Sequence, residues 1–230
     1  MVTGTLKSGG YWTDENLWPA DQHNPKGYFE SIEALTINEK ILASALPSLA
    51  EAGVYLYTGR LLRILPLDIR LQVEDTLHIE MQASLSHEPY CLKDPRFSYT
   101  LDIWRPFLHN IKYICVFREP IATAHSLVRY CRNIEHYHPL EMTEEMALDL
   151  WQCYYTHILQ NHSTEGEWLF VHYNQMFEPQ TFRHLEAFAE VTLQETFPDL
   201  ELRRAVPDTS YSTAIQEMYK ELCDRAMYTI

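Results

Sequence analysis

The chain predicts an α/β fold, a mainly parallel sheet flanked by helices. Three observations predict it. A β-branched and aromatic run, Tyr113 to Phe117, breaks off at Arg118-Glu119-Pro120, as a buried strand does before a helix. A second such run spans 168–173. Amphipathic stretches lie between and around the two, which is the alternation that builds parallel sheets.

The elements follow in order. Residues 2–8 read as a helix that ends at Gly9-Gly10. Residues 31–50 read as a helix with Ser31 as N-cap and Ile32, Leu35, Ile41 and Leu42 among its apolar positions. The apolar run 53–58 has no clear period. Residues 67–85 suggest an amphipathic helix. Tyr90–Leu92 suggests a short strand stopped by Lys93-Asp94-Pro95, followed by a helix over 97–105 and a strand over 112–117.

Pro120 suits a first helical turn, where its missing N–H costs nothing, and that helix runs to about Cys131. Residues 133–139 read as a polar loop. Thr143 caps the next helix, with Glu144 and Glu145 at the positive end of its dipole and Met146, Leu150, Tyr154 and Ile158 on one face. Helices near 179–191 and 213–227 complete the pattern, and Pro198 to Ser212 is the best linker. The whole chain, 1–230, reads as one domain.

Composition excludes several classes. A net charge of −14 disfavours general nucleic-acid binding, which needs a basic surface. A local cluster such as Lys93, Arg96 and Arg118 can still hold an anion in one cleft. No apolar run is long enough to span a bilayer, and no secretory signal opens the chain. The five cysteines form no Cys-x-x-Cys pair, so a reduced, cytoplasmic setting is expected. His136 and His138 with Glu135 lack a third ligand, and no metal is expected.

Arg118 stands where a strand meets a helix, and Ser126 lies eight residues on. A guanidinium and a hydroxyl so placed can hold a phosphate at the carboxyl edge of a parallel sheet. This segment resembles the 3′-phosphate-binding segment of sulfotransferases that use 3′-phosphoadenosine 5′-phosphosulfate (PAPS). Asn24-Pro-Lys-Gly-Tyr-Phe-Glu30 and Lys93-Asp-Pro-Arg96 resemble elements of one bacterial group of that family. Trp168 to Tyr173 with Phe177-Glu-Pro179 resembles its late strand, although the usual acidic triplet reads Tyr173-Asn174-Gln175 here.

The resemblance implies a P-loop nucleoside-triphosphatase-like fold and sulfuryl transfer from PAPS to a hydroxyl or amine of a small-molecule or carbohydrate acceptor. It implies Arg118 and Ser126 as cofactor-binding residues. Glu30 is then the candidate base and Lys93 the candidate cation at the transferring group. Each has a plainer reading: Glu30 as a carboxylate at a helix start beside Ser31, Lys93 as half of an ion pair. Arg96 reads as a holder of Asp94 that shapes the turn.

One family element is not matched. The phosphate loop near the N-terminus follows a strand and opens a helix, cradling the 5′-phosphosulfate with backbone N–H groups. Lys7-Ser8-Gly9-Gly10 has neither context, and reads better as the end of the helix over 2–8. In that register the first strand and loop precede the residues in hand. A truncated or degenerate member, binding nucleotide without turnover, is therefore the alternative. A nucleotide kinase is the third reading, against which stands the lack of a Gly-x-x-x-x-Gly-Lys-Ser/Thr loop.

Overall fold

The computed structural model describes residues 1–46, 59–193 and 211–229. Two strands and eight α-helices are defined among them. They are α1 (Val2–Ser8), α2 (Ile32–Ala43), α3 (Asp75–Ser84), α4 (Phe97–Trp104), β1 (Lys112–Phe117), α5 (Pro120–Asn133), α6 (Glu144–His157), β2 (Glu167–His172), α7 (Pro179–Ala189) and α8 (Thr213–Arg225). A π-turn, Ile158–His162, continues α6.

The fold is α/β, and its sheet is small. β1 and β2 pair in parallel, with Cys115 opposite Phe170 and Phe117 opposite His172. Helices cover both faces. Cys115, Phe117 and Phe170 pack with Trp151 of α6 and Tyr219 and Leu222 of α8. Ile114, Leu169 and Val171 pack on the other side with Val2 and Leu6 of α1 and Leu185 of α7. Alternate side chains of a strand point to opposite faces, so both can be apolar only where both are covered.

The expected strand Tyr90–Leu92 reduces to an isolated parallel bridge between Trp12 and Tyr90. The Cys91 N–H donates to the Trp12 carbonyl and the Trp12 N–H to that of Pro89, and the turn at Asp94-Pro95 ends the ladder there. The expected helix over 67–85 begins only at Asp75. Before it, Ile69, Leu71 and Val73 are half-buried while Arg70, Gln72 and Glu74 are exposed. That alternation has a period of two, which extended backbone satisfies and a helix does not.

α2 is capped as expected, the Ala34 N–H donating to Ser31 Oγ at 3.1 Å, a contact worth about 1 kcal/mol. The helix stops at Ala43, short of the expected 50, with Ser44 and Ala45 in a turn; residues 47–50, the run 53–58 and most of the linker lie outside the described residues. Residues 133–139, expected as a loop, carry a 3₁₀ helix over Glu135–Leu140. Thr143 caps α6, but the buried face of that helix is Ala147, Leu150, Trp151 and His157, and Met146 is exposed.

Residues 2–8 are helical, as read from the sequence. Gly9 follows, where a Cβ would meet the side chains of Val191 and Leu193 at 3.0 and 3.1 Å. Gly10 turns the chain with φ 98°. Lys7-Ser8-Gly9-Gly10 is thus a helix end packed on the segment after α7. No helix among the described residues is long and apolar enough to cross a membrane.

Candidate functional site at the carboxyl edge of the sheet

β1 ends at Phe117, so Arg118 emerges at the carboxyl edge of the sheet. β2 ends directly opposite, at His172, and Tyr173 emerges beside it. The Arg118 guanidinium lies over the Tyr173 ring, 4.7 Å from its centroid. Its backbone carbonyl accepts from the Trp151 indole N–H at 3.3 Å. The chain then turns into α5 at Pro120.

Glu119 caps α5 with its own carboxylate, accepting from the N–H groups of Ile121 at 3.2 Å and Ala122 at 2.7 Å. The positive end of this helix is therefore already engaged by an anion. Ser126, half-buried on the second turn, has no side-chain hydrogen bond among the described residues. Its neighbour His125 pairs with Glu144 at 2.7 Å, which accounts for that histidine. His138 contacts the Arg132 carbonyl at 2.9 Å, and His136 lies against the Tyr137 ring.

The Asn24–Glu30 element is a tight loop organised by Asp21, a residue the sequence did not single out. The N–H groups of His23 and Asn24 donate to Asp21 Oδ1 at 2.8 and 2.9 Å, and the Tyr28 hydroxyl donates to the same carboxylate at 3.0–3.1 Å. Partial burial would raise the Asp21 carboxyl, but these donors outweigh it and hold it below the usual range. The signal for Asp21 was its position two and three residues before those amides, an Asx-turn spacing.

Phe29 has φ 56°, the left-handed region that a bulky side chain rarely adopts. The turn it makes sends Tyr28 and Glu30 to different partners. Tyr28 reaches α5: burial, Tyr130 and Asp21 together push its phenol well up. Tyr130 is one helical turn beyond Ser126 and feels both Asp21 and Glu30. The ring of His23 meets that of Tyr130 edge-on at 5.5 Å. The loop and the Ser126 face of α5 thus adjoin through Tyr28 and Tyr130.

Glu30 is largely buried and forms an ion pair with the half-exposed Lys93. The two residues expected on either side of a transferring group are therefore brought together, through Lys93's plainer role. Lys93, Asp94 and Arg96 then diverge. Arg96 is 1% exposed, its Nε donating to Glu39 at 2.6 Å and its Nη1 to Asp94 at 2.9 Å. Burial disfavours its charge, but the two carboxylates hold its pKa above the ordinary arginine value. Arg60 reaches the other Glu39 oxygen at 3.2 Å. Asn38 donates to Asp94 at 3.1 Å and accepts from Thr100 and the Trp104 indole at 2.7 and 2.8 Å.

Tyr173-Asn174-Gln175, standing where the resemblance implies an acidic triplet, anchors the end of the chain. The Asn174 amide donates to the Tyr228 hydroxyl and the Gln175 amide to the Ala226 carbonyl, each at 2.9 Å. His172 is buried beneath them, stacked on Tyr228 at 3.9 Å. Trp12 stacks on His87 at 4.2 Å, and Tyr28 serves the Asp21 loop. Comparison with family models, with curated proteins and with solved structures finds no match to this chain in any of the three.

Proposed function

We propose that the chain is a sulfotransferase-like protein that takes PAPS as sulfuryl donor. The observation that carries the reading is the placement of Arg118: the end of a buried parallel strand, a proline-started helix behind it, and Ser126 two turns along. A guanidinium fork and a hydroxyl in that relation suit the 3′-phosphate of the nucleotide. The P-loop nucleoside-triphosphatase-like fold belongs to the same proposal. So does a cytoplasmic setting, which the five free thiols favour.

In this reading an acceptor oxygen or nitrogen attacks sulfur in line. The sulfur–oxygen bond to the nucleotide breaks, and adenosine 3′,5′-bisphosphate leaves with the electron pair. Glu30 takes the acceptor proton, and Lys93 stabilises charge on the transferring group. The Lys93–Glu30 ion pair supports this reading, since a donor sulfate drawing Lys93 away would release Glu30 to act.

A second reading, nucleotide binding without turnover, has its own support. Lys7 to Gly10 is a helix end rather than a phosphate cradle, and Glu119 fills the N-terminus of α5. Calorimetric titration with adenosine 3′,5′-bisphosphate, beside Arg118→Ala and Ser126→Ala, tests the shared part. Binding weakened at least about ten-fold by each substitution is expected. Equal binding by the variants, or equal competition by ATP, would refute both readings. Transfer of labelled sulfate from PAPS separates them: release of adenosine bisphosphate supports the enzyme, and binding without release supports the module.

A further inference from the structure

β2 ends on His172, which is 1% exposed. What faces its two ring nitrogens fixes the tautomer. The Asn174 backbone N–H lies 3.1 Å from Nδ1. A backbone N–H can only donate, so Nδ1 is the acceptor and carries no proton. Nε2 then holds the proton of the neutral ring and donates it to the Tyr219 hydroxyl oxygen at 3.1 Å. The His172 N–H donates in turn to Gln175 Oε1 at 2.8 Å, so strand end and following turn cap each other.

The same turn holds the end of the chain. Asn174 and Gln175 donate to the Tyr228 hydroxyl and the Ala226 carbonyl, and the Tyr228 ring lies flat on His172. The Tyr228 N–H donates to the Cys223 carbonyl at 2.9 Å. Titratable and charged groups approach the imidazole from each packed element. Phe117 meets it edge-on at 5.1 Å, with Arg118 and Glu119 next along the chain. Tyr155 of α6 packs on Phe117 from behind. Tyr219 and Cys223 come from α8. Burial, Cys223, Tyr228 and Glu119 push the Tyr219 phenol well up, so it stays neutral.

We propose that His172 is a proton-operated clasp between the exit of β2 and the end of the chain. A proton on Nδ1 would set a second donor against the Asn174 N–H. That bond breaks, the turn Tyr173–Phe177 loosens, and Asn174 and Gln175 release Tyr228 and Ala226. Tyr173 leads the turn, so its ring leaves the Arg118 guanidinium at the same time. Acid thus loosens the sheet edge and the tail together, with His172 as the positioning residue. The folded form needs the neutral ring, whereas an unfolded histidine takes its proton at about 6.5. The clasp is therefore complete above that value and weakens as pH falls below it. No nucleotide takes part, so the clasp stands apart from the PAPS reading.

The test is amide hydrogen exchange of the native chain by NMR, corrected for intrinsic rates, from about pH 7.5 down to about pH 5.5. Protection of the Asn174 and Tyr228 amides should fall together by about ten-fold, the factor that one proton gives over that range. The Leu35 amide, bonded to the Ser31 carbonyl on α2, should hold its protection. Ring nitrogen shifts at the upper pH should show the proton on Nε2. His172→Asn supplies an oxygen that can accept the Asn174 N–H and does not titrate, so it should flatten the dependence. Flat protection of Asn174 in the wild type, or a fall in step with Leu35, would overturn the proposal. So would a proton on Nδ1 at the upper pH. These wild-type measurements decide the matter even where His172→Asn fails to fold.

Discussion

Arg96 and Arg118 are both arginines that the sequence marks, and they work in opposite surroundings. Arg96 is sealed in the interior, its fork filled by Asp94 and Glu39, with Asn38, Thr100 and Trp104 completing the network. Arg118 stands half-buried at the sheet edge with the face of its guanidinium on an aromatic ring. The first ties α2 to the start of α4 by satisfying buried charge. The second is the one proposed for nucleotide binding. Residue type is the same, so position at the end of a parallel strand is what separates a structural arginine from a candidate binding one.

The largest expected effect breaks the interior network. Arg96→Ala takes the arginine partner from buried Asp94 and leaves Glu39 with Arg60 alone, and should cost about 3–5 kcal/mol of stability, read by urea denaturation. Arg118→Ala should instead cost less than about 1 kcal/mol while weakening adenosine-bisphosphate binding as stated above. A stability loss equal to that of Arg96→Ala would erase the distinction between the two. Lys93→Ala sits between them in kind: water reaches the half-exposed ammonium, so the ion pair with Glu30 should be worth about 0–1 kcal/mol. PAPS turnover, if present, should fall far more than stability does.

The smallest effect concerns pH. The Asp21 carboxyl is held below its ordinary value in the folded loop, so its contribution is present above the unfolded value of about 3.9 and fades as pH falls through the lower, folded one. Hydrogen exchange of the amides of His23 and Asn24 should quicken over that acid range. Asp21→Asn should remove the dependence. Protection that is flat with pH in the wild type would show that Asp21 does not hold the loop.

Much of this was legible, and the failures have physical causes. The strands at 112–117 and 167–172 were plain because burial on both faces demands continuous apolar runs. The helix over 2–8 followed from asking what Gly9-Gly10 could end. The placement of Arg118 after a strand and of Ser126 on the helix behind it was legible because strand, proline and helix are local signals. Glu30 with Lys93 was legible only as two separate candidates, since their contact spans 63 residues of chain. The interior network was hidden for the same reason. Asn38 and Glu39 sit on the core side of α2, 0% and 5% exposed, where a hydrophobic stripe would place apolar residues. Their partners, in the turn before α4 and on α4 itself, lie 56–66 positions away. The segment 67–74 was misread because its period of two was merged with the helix that follows.

The seat of Arg118 is made by residues far from it in sequence. The ring beneath its guanidinium belongs to Tyr173, and the next two residues grip Tyr228 and Ala226 beyond α8. Grafting the segment 112–133 onto a foreign scaffold would carry the arginine, the proline and the serine but leave that seat behind. Anyone seeking to transplant the Arg118 corner must bring β2, its Tyr173-Asn174-Gln175 exit and α8 as one cassette.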